Sequence, residues 1–387
     1  MEKVRVGIIG LGNMGRIHAS YLDKGDIENA ELVAVSDINP EALKWVEGNL
    51  DSKVATYSDN DQFFQDENID AVMIATPHYD HPPLAIKAFE NDMHVMVEKP
   101  AGVYTKQVRK MNEAAQKSDK VFSAMFCIRT NPLFQKAREL VMSGELGELK
   151  RVNWIVTRFY RPQSYYNSGG WRATWSGEGG GVLLNQAPHQ IDLLQWIVGM
   201  PEKVRAFCSF GKYHDIEVED DVTAYLEYEN GATGVFITST GETPGSDRFE
   251  IAGDKGKLVI EDGELKFWRL RQSERKFNQE FTGGFGSPES WKCEVPVASS
   301  TGSIHAKTTR NWVEAITKGT ELLAPGEDGM SMVQLANAMH LSTWTDSVIE
   351  LPVDEDLFYD KLQEQIKNST FEKQNSGETY LNANDSF

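Results

Sequence analysis

Cysteine is scarce in this chain, which has three among 387 residues: Cys127, Cys208 and Cys293. An odd and widely spaced set excludes a disulfide framework and favours a reducing cytoplasm. No two of them have the spacing of metal ligands, so we predict no metal site. A run of about 18 apolar residues, which a membrane helix requires, is also missing, and the strand-like run that starts at Val4 is not a signal-peptide pattern. These absences predict a cytoplasmic globular protein.

Positive charge is also in short supply, with 39 Lys and Arg against 58 Asp and Glu and a net charge of −19. This balance repels nucleic-acid phosphates and anionic membranes, so neither is an expected partner. A highly anionic substrate is disfavoured as well, unless Arg or Lys residues cluster in the pocket. A neutral sugar or polyol meets no such penalty and is the expected small-molecule partner.

Glycine is most informative near the start, in the run VRVGIIGLGNMGRIHA, which places Gly10, Gly12 and Gly15 in a G-x-G-x-x-G pattern. The pattern follows an apolar strand-like run and opens a helix, the layout that cradles a dinucleotide. The first glycine permits the turn, the second admits a pyrophosphate, and the third allows close packing of helix and strand. Asn13 and Met14, at the helix N-terminus, are expected to present backbone N–H groups to the phosphates.

An acidic residue at the end of the next strand-like run, ELVAVSD, bears on the choice of cofactor. Asp37 lies 22 residues after Gly15, near the spacing expected for a carboxylate that binds the adenosine ribose. It would repel a 2′-phosphate, and Ile38, Asn39 and Pro40 follow it in place of a basic residue. The sequence therefore predicts NAD as the cofactor, with NADP less favoured.

The length predicts two domains. Residues 1–128 alternate short apolar runs with helical stretches, which predicts an α/β doubly wound parallel sheet, the Rossmann dinucleotide-binding domain. Residues 129–370 hold alternating strand-like segments and hairpin turns. They predict a substrate-binding and oligomerisation α+β domain with an open-faced, mostly antiparallel sheet of six or more strands. We expect residues 273–303 to be irregular, helices within about 304–350 to pack back on the first domain, and 371–387 to form a polar tail.

Side chains at the ends of two parallel strands are candidates for the site, because ligands bind beyond the carboxyl ends of such strands. Lys99 in the tripeptide EKP follows one strand, and Glu98 precedes it. A lysine there can polarise a carbonyl or hold a proton near an alcohol, although a solvated strand-end lysine is the alternative. Thr76 ends the run AVMIAT of another predicted strand, Pro77 and His81 follow that run, and all three are assigned with Glu98 to the cofactor site.

A second group lies in GGWRATWSGEGGGVLLNQAPHQIDLLQW, from 169 to 196. Pro188 fits the first turn of a helix, so we expect a helix that starts near Asn185, capped by that residue, with His189 about one turn further on. Histidine is the natural acid–base at neutral pH, although a histidine taken alone is more often a satisfied structural residue. Asp192 could orient its ring or merely bond locally. Trp171 and Arg172 suit a sugar or a carboxamide, or simply pack together.

Taken together, four motifs make the chain similar to the Gfo/Idh/MocA family: GIIGLGNMGRIHA, EKP, GGG-x-L-L-N-x-x-x-H-x-x-D and the late NWVEAI. The resemblance implies a Rossmann domain joined to an open-faced sheet, and dimers or tetramers formed through that sheet. It implies that Lys99 contacts substrate and cofactor and that His189 is the catalytic acid–base. Many members have aspartate at the position of Asn185, and an amide cannot take a proton, so more proton transfer falls to His189 and Lys99.

The resulting prediction is an NAD(P)-dependent dehydrogenase that moves a hydride between nicotinamide and a secondary hydroxyl of a pyranose sugar, glycoside or inositol. Lys99, His189 and Asn185 are the predicted catalytic residues. These three residues, together with Trp171 and Arg172, are also the predicted substrate contacts. Two alternatives remain at this point: an enzyme that recycles NAD while it cleaves or eliminates, and a non-catalytic dinucleotide sensor.

Overall fold

A computed structural model of the chain describes residues 3–51 and 53–372. All but the first two residues of the predicted polar tail lie outside these ranges. Within them, no helix combines the length and the apolar character needed to cross a membrane. The three cysteines are free thiols. The cytoplasmic location stays a prediction.

The N-terminal part forms a six-stranded sheet in the order β3-β2-β1-β4-β5-β6, with every neighbouring pair parallel. Its order reverses between β1 and β4, which opens a crevice at the carboxyl ends of these strands. The apolar runs are strands because both faces of the sheet are covered by helices. The elements are β1 Val4–Ile9, α1 Asn13–Asp23, β2 Ala30–Ser36, α2 Pro40–Asn49, β3 Ala55–Tyr57, α3 Asn60–Phe64, β4 Ala71–Ile74, α4 His81–Glu90, β5 His94–Val97, α5 Thr105–Lys117 and β6 Phe122–Ala124.

The C-terminal part forms a nine-stranded sheet in the order β14-β13-β12-β11-β7-β10-β9-β8-β15. Its pairs are antiparallel except for β7 with β10. The elements are α6 Pro132–Met142, β7 Leu149–Val156, α7 Gln163–Asn167, α8 Pro188–Val198, β8 Lys203–Phe210, β9 Glu219–Glu227, β10 Thr233–Ser239, β11 Asp247–Gly253, β12 Gly256–Glu261, β13 Glu264–Leu270, α9 Glu274–Glu280, β14 Ser290–Cys293, α10 Ile304–Lys318, α11 Gly329–Thr345, β15 Ile349–Glu350 and α12 Glu355–Asn368.

One expectation for this part is wrong. Residues 273–303 are not wholly irregular, since they contain α9 and the edge strand β14. Ser273 caps α9 by accepting a hydrogen bond from the backbone N–H of Lys276 at 3.3 Å. The strand β14 is held by pairing with β13 in register Trp268 to Lys292. This pairing joins residues distant in sequence, so local composition does not reveal it.

The nine-stranded sheet has one covered and one open face. Along β8, Val204 and Ala206 are buried. Phe207, which lies between Ala206 and Phe210 in the strand, is 60% exposed. Its register neighbours across the sheet are Thr223, Ile237 and Ile155. Alternation of this kind arises because successive side chains of a strand point to opposite faces.

The late helices α10 and α11 contact the Rossmann part directly. The Tyr21 hydroxyl lies 2.7 Å from the Thr309 hydroxyl. The Asn337 amide donates to the Val103 carbonyl at 2.9 Å and accepts from the Thr105 N–H at 3.1 Å. These buried hydrogen bonds tie α1 to α10 and the start of α5 to α11. The crevice therefore lies between elements that are firmly joined.

Candidate active site

The glycine turn after β1 is shaped for a ligand. Gly10 has φ of +94°, and a Cβ there would lie 2.6 Å from the Ala75 carbonyl oxygen. A Cβ on Gly15 would collide with the Gly10 carbonyl. A Cβ on Gly12, in contrast, would have nothing within 4 Å, because this residue borders open space. Packing thus requires the outer two glycines, and the middle one leaves room for a ligand to approach the backbone.

The helix that follows this turn begins at Asn13, and no side chain caps its N-terminus. Its first N–H groups and the positive end of its dipole therefore point into the crevice beside Gly12. Such a terminus suits a pyrophosphate. The lining of this cofactor crevice comprises Leu11, Gly12, Asn13, Asp37, Asn39, Ala42, Ser168, Gly169, Trp171 and Arg172.

Asp37 stands at the end of β2 and faces the same crevice. Its carboxylate accepts hydrogen bonds from the backbone N–H of Leu11 at 2.6 Å and of Asn39 at 2.8 Å. These two bonds fix the carboxylate next to the glycine turn. The residues present therefore fit a dinucleotide, with Asp37 placed for the ribose hydroxyls and the start of α1 placed for the phosphates.

A second cavity lies beyond the end of β5 and shares Asn13 and Arg172 with the cofactor crevice. We call it the reaction cavity. Its lining comprises Asn13, Met14, Glu98, Lys99, Ile128, Arg158, Phe159, Arg161, Tyr165, Arg172, Asn185, Gln186, His189, Gln190 and His305. The structure thus brings Lys99, Asn185 and His189 to one cavity that adjoins the cofactor crevice.

Lys99 is the second residue after the end of β5 and precedes a cis proline, Pro100. Its ammonium group donates to the backbone carbonyl of Asn185 at 2.8 Å. Burial lowers the pKa of Lys99, and the nearby charges of Arg172 and Arg161 lower it further, against the opposing effect of Glu98. The ammonium group is therefore fixed in position, and it releases its proton more readily than the ammonium group of a free lysine does.

Glu98 turns the other way, into the core. Its carboxylate lies 2.7 Å from His18 Nε2 and accepts from the Lys99 N–H at 3.1 Å. Burial alone would raise the pKa of Glu98, but the hydrogen bond and charge of His18, together with His305 and Lys99, lower it to about 2. Glu98 therefore sits as a carboxylate behind Lys99, where it anchors the strand end.

His189 lies in the first turn of α8, 4% exposed, with its Nε2 3.8 Å from the Cys127 sulfur. Burial lowers the pKa of His189 well below its usual value, and the charge of Lys99 lowers it further. The imidazole is therefore neutral at pH 7 and able to accept a proton. Asp192 does not orient this ring. It forms a buried pair with Arg129 instead, at 2.8 and 2.6 Å.

The expected capping role of Asn185 is wrong. The helix α8 starts at Pro188, after Ala187, and no side chain caps it. Asn185 instead accepts from the Tyr165 hydroxyl at 3.3 Å and donates from its Nδ2 to the carboxylate of Glu178. The amide is thus held between two polar groups at the wall of the reaction cavity.

The three glycines before Asn185 pack against the protein itself. A Cβ on Gly181 would collide with the backbone carbonyl of Glu219. The N–H groups of Gly181 and Leu183 each donate to the Glu219 carboxylate at 2.9 Å. On its other side this carboxylate lies 2.9 Å from His340 Nε2. The glycines therefore allow a tight turn around a buried carboxylate.

Some predicted contacts lie next to these spaces without lining them. Thr76, Pro77 and His81 are not among the described residues that line the crevice or the reaction cavity. The His81 ring is 1% exposed and lies 2.7 Å from the Pro100 carbonyl and 2.8 Å from the Thr76 carbonyl. It links the ends of β4 and β5, which places Lys99. The part of the chain that the structure describes holds no cluster of three or more metal-ligating side chains.

Several lining residues escaped the sequence reasoning, namely Arg158, Arg161, Tyr165 and His305. The Tyr165 hydroxyl accepts from Arg172 at 2.8 Å and from the Gln186 amide at 3.1 Å. Burial lowers the pKa of His305 to about 4, and the neighbouring His18 contributes. A signal was available for the arginines, because the run RFYRP combines basic and aromatic residues at the end of a strand.

Comparison with known proteins agrees with this geometry. Residues 4–126 match the oxidoreductase family with an NAD-binding Rossmann fold, and residues 134–259 match the GFO/IDH/MocA C-terminal domain. The myo-inositol 2-dehydrogenase of Thermotoga maritima is 30% identical over 67% of this chain and 75% of its own length. The chain belongs to the Gfo/Idh/MocA oxidoreductase family. The predicted family, fold class and NAD(P)-dependent oxidoreductase class are confirmed.

Other Gfo/Idh/MocA proteins show the same likeness over more of the chain. The inositol 2-dehydrogenase of Rhizobium meliloti is 25% identical over 87% of this chain and 95% of its own. Among solved structures, the WlbA dehydrogenase of Chromobacterium violaceum, in complex with NADH and UDP-GlcNAcA, superimposes with a TM-score of 0.77. It is 28% identical and covers 92% of this chain and 97% of its own.

Proposed function

We propose that this oxidoreductase moves a hydride between NAD and a secondary hydroxyl of a pyranose sugar, glycoside or inositol. The observation that carries the proposal is the meeting of Lys99 and His189 in one cavity that adjoins the Gly12 crevice. A carbinol between an ammonium group and a neutral imidazole has both a charge-stabilising group and a proton acceptor. The inositol dehydrogenases among its relatives support a polyol substrate.

During oxidation, His189 accepts the hydroxyl proton, because its low pKa leaves the imidazole neutral at pH 7. Lys99 stabilises the negative charge that develops on the oxygen, held in place by the Asn185 carbonyl at 2.8 Å. The Asn185 amide, fixed by Tyr165 and Glu178, positions a neighbouring hydroxyl. NAD, when bound, supplies the carbon that takes the hydride.

Preference for NAD over NADP rests on Asp37. A carboxylate already fixed by two backbone N–H groups would repel a 2′-phosphate. The next residue, Ile38, is apolar and exposed, and supplies no counter-charge. Both observations favour the unphosphorylated ribose.

The test incubates purified protein with NAD and a panel of inositols, hexoses and uronates, and follows NADH together with loss of the sugar. Net NADH formation supports the dehydrogenase. Sugar loss or cleavage without NADH accumulation favours a recycling enzyme instead. Binding of panel members without any turnover favours a sensor, and would contradict the proposed activity.

For the assembly, we propose a homodimer or homotetramer joined through the open face of the nine-stranded sheet. The row of Phe207, Thr223, Ile237 and Ile155 on that face supports it, since large apolar side chains there remain exposed. Phe207→Asp is expected to reduce the mass measured by light scattering towards one chain. Phe285→Asp, at a fully exposed residue outside the sheet, is the control. An unchanged mass for Phe207→Asp contradicts this interface.

A further inference from the structure

The reaction cavity is positively charged although the chain as a whole is strongly negative. Its described lining carries four permanent or readily charged cations, Lys99, Arg158, Arg161 and Arg172, against the single carboxylate of Glu98. Glu98 lies 2.7 Å from the buried His18, so its charge is already engaged. The sequence disfavoured an anionic substrate unless basic residues gathered in the pocket, and the fold gathers them there.

Two of these arginines belong to the substrate side alone. Arg158 and Arg161 follow β7 and line the reaction cavity but not the cofactor crevice, whereas Arg172 lines both. The charge of Arg172 is therefore available to either ligand. The phosphates of a bound cofactor would be held by the backbone N–H groups at the start of α1, beside Gly12, and neither Arg158 nor Arg161 lines that crevice.

The guanidinium groups of this pair rest on defined neighbours. Arg158 pairs through its Nε with Asp247 at 3.0 Å, with its side chain still 45% exposed. Arg161 lies 5.3 Å from the centre of the Tyr165 ring and donates to the Tyr160 carbonyl at 3.0 Å. Stacking on an aromatic ring fixes the plane of a guanidinium group while its edge continues to offer N–H donors.

The backbone of Arg161 is anchored on both sides. Its N–H donates to the Thr240 carbonyl at 2.9 Å, and its carbonyl lies 2.8 Å from His214 Nε2. His214 Nδ1 in turn lies 3.0 Å from the buried Asp220 carboxylate, which also accepts from the His214 N–H. A buried polar network thus supports the loop that presents Arg161, as expected for a preorganised binding group.

Resting on the proposed function, we propose that the substrate carries an oxyanion, a carboxylate or a phosphate, that Arg158 and Arg161 bind while Lys99 and His189 engage its carbinol. Guanidinium groups match both oxyanions through paired N–H donors. An anion also offsets the excess positive charge that the cavity concentrates.

The experiment compares glucose, glucuronate and glucose 6-phosphate on the NAD-loaded enzyme, with kcat and KM from NADH formation. Binding of the same three compounds to the NADH-loaded enzyme is measured by calorimetry. Glucuronate or glucose 6-phosphate is expected to exceed glucose at least tenfold in kcat/KM or in affinity. The better of the two identifies the oxyanion as carboxylate or phosphate.

Variants locate the effect. Arg161→Gln and Arg158→Gln are expected to weaken binding of the anion about tenfold or more, with little change for glucose or for NADH. Arg271→Gln removes the same charge outside the cavity, where Arg271 pairs with Glu289, and is expected to change neither. Equal binding of glucose and both anions, or anion binding unaltered by Arg161→Gln, overturns the inference. If NADH still forms in that case, the proposed dehydrogenase activity is retained and only the anion-binding inference fails. Anion binding without any turnover contradicts only the proposed dehydrogenase activity.

Discussion

The ammonium group of Lys99 lies 2.8 Å from the backbone carbonyl of Asn185, a residue 86 positions further along the chain. This contact joins the end of β5 in the Rossmann sheet to the segment that leads into α8. His189 lies one turn beyond that segment and lines the same cavity. Lys99 and His189 therefore line one cavity because two separate parts of the fold come together beside the cofactor crevice.

His189→Asn should lower kcat by about 10²–10⁴, the usual contribution of a positioned acid–base group. Affinity for NAD should not change, because His189 does not line the cofactor crevice. Steady-state kinetics and NADH binding by fluorescence measure the two effects. His94→Asn, at the amino end of the Rossmann sheet, is the matched control. Turnover within a few-fold of the wild type would remove His189 from the mechanism.

The alkaline limb of the kcat/KM profile should report Lys99, which acts as the ammonium form. Burial and the charges of Arg172 and Arg161 lower the pKa of Lys99, so activity should decline at a lower pH than a free lysine would dictate. Removing a positive neighbour by Arg161→Gln raises the pKa of Lys99 and should move this limb to higher pH. Arg271→Gln should leave the limb in place. If Arg161→Gln does not shift the alkaline limb of the profile, that limb reports the titration of a group other than Lys99.

Asp37→Ala should raise the KM for NAD by roughly 10–100-fold, since hydrogen bonds to a charged group contribute about 1.5–3 kcal/mol. The KM for NADP should change little or improve, because the repulsive carboxylate is gone. Asp37→Asn keeps an acceptor for the Leu11 N–H and serves to separate charge from turn geometry. An NAD preference that survives Asp37→Ala would assign discrimination elsewhere.

Asp192→Ala should lower the free energy of unfolding by about 3–5 kcal/mol, because it leaves the buried Arg129 without one partner. Arg129 also pairs with Asp328 at 2.6 Å, which favours the lower end of that range. The double variant Arg129→Met with Asp192→Leu should recover part of the loss by replacing charge with packing. Urea unfolding followed by circular dichroism gives these values. A loss below about 1 kcal/mol would show that the pair is not needed for stability.

Local sequence was sufficient for much of the fold. The glycine turn, the parallel strands and the alternating strands follow from steric and periodic rules that act over a few residues. Local sequence gave wrong predictions where the interacting residues are distant along the chain. Asn185 looked like a helix cap, yet its amide is taken by Tyr165 and by Glu178 from neighbouring turns. The pairing of Asp192 with Arg129 was equally hidden, since 63 residues separate them.

The sequence by itself determined the dinucleotide-binding turn and the two-part architecture, and it singled out a histidine and a strand-end lysine as candidates for the site. Only the tertiary structure decided that these two side chains share a cavity and that Arg158, Arg161 and Arg172 surround it. The physical reason is that net charge is a sum over the whole chain, whereas the field in a cavity depends on distance. A protein of charge −19 can therefore present a positive site.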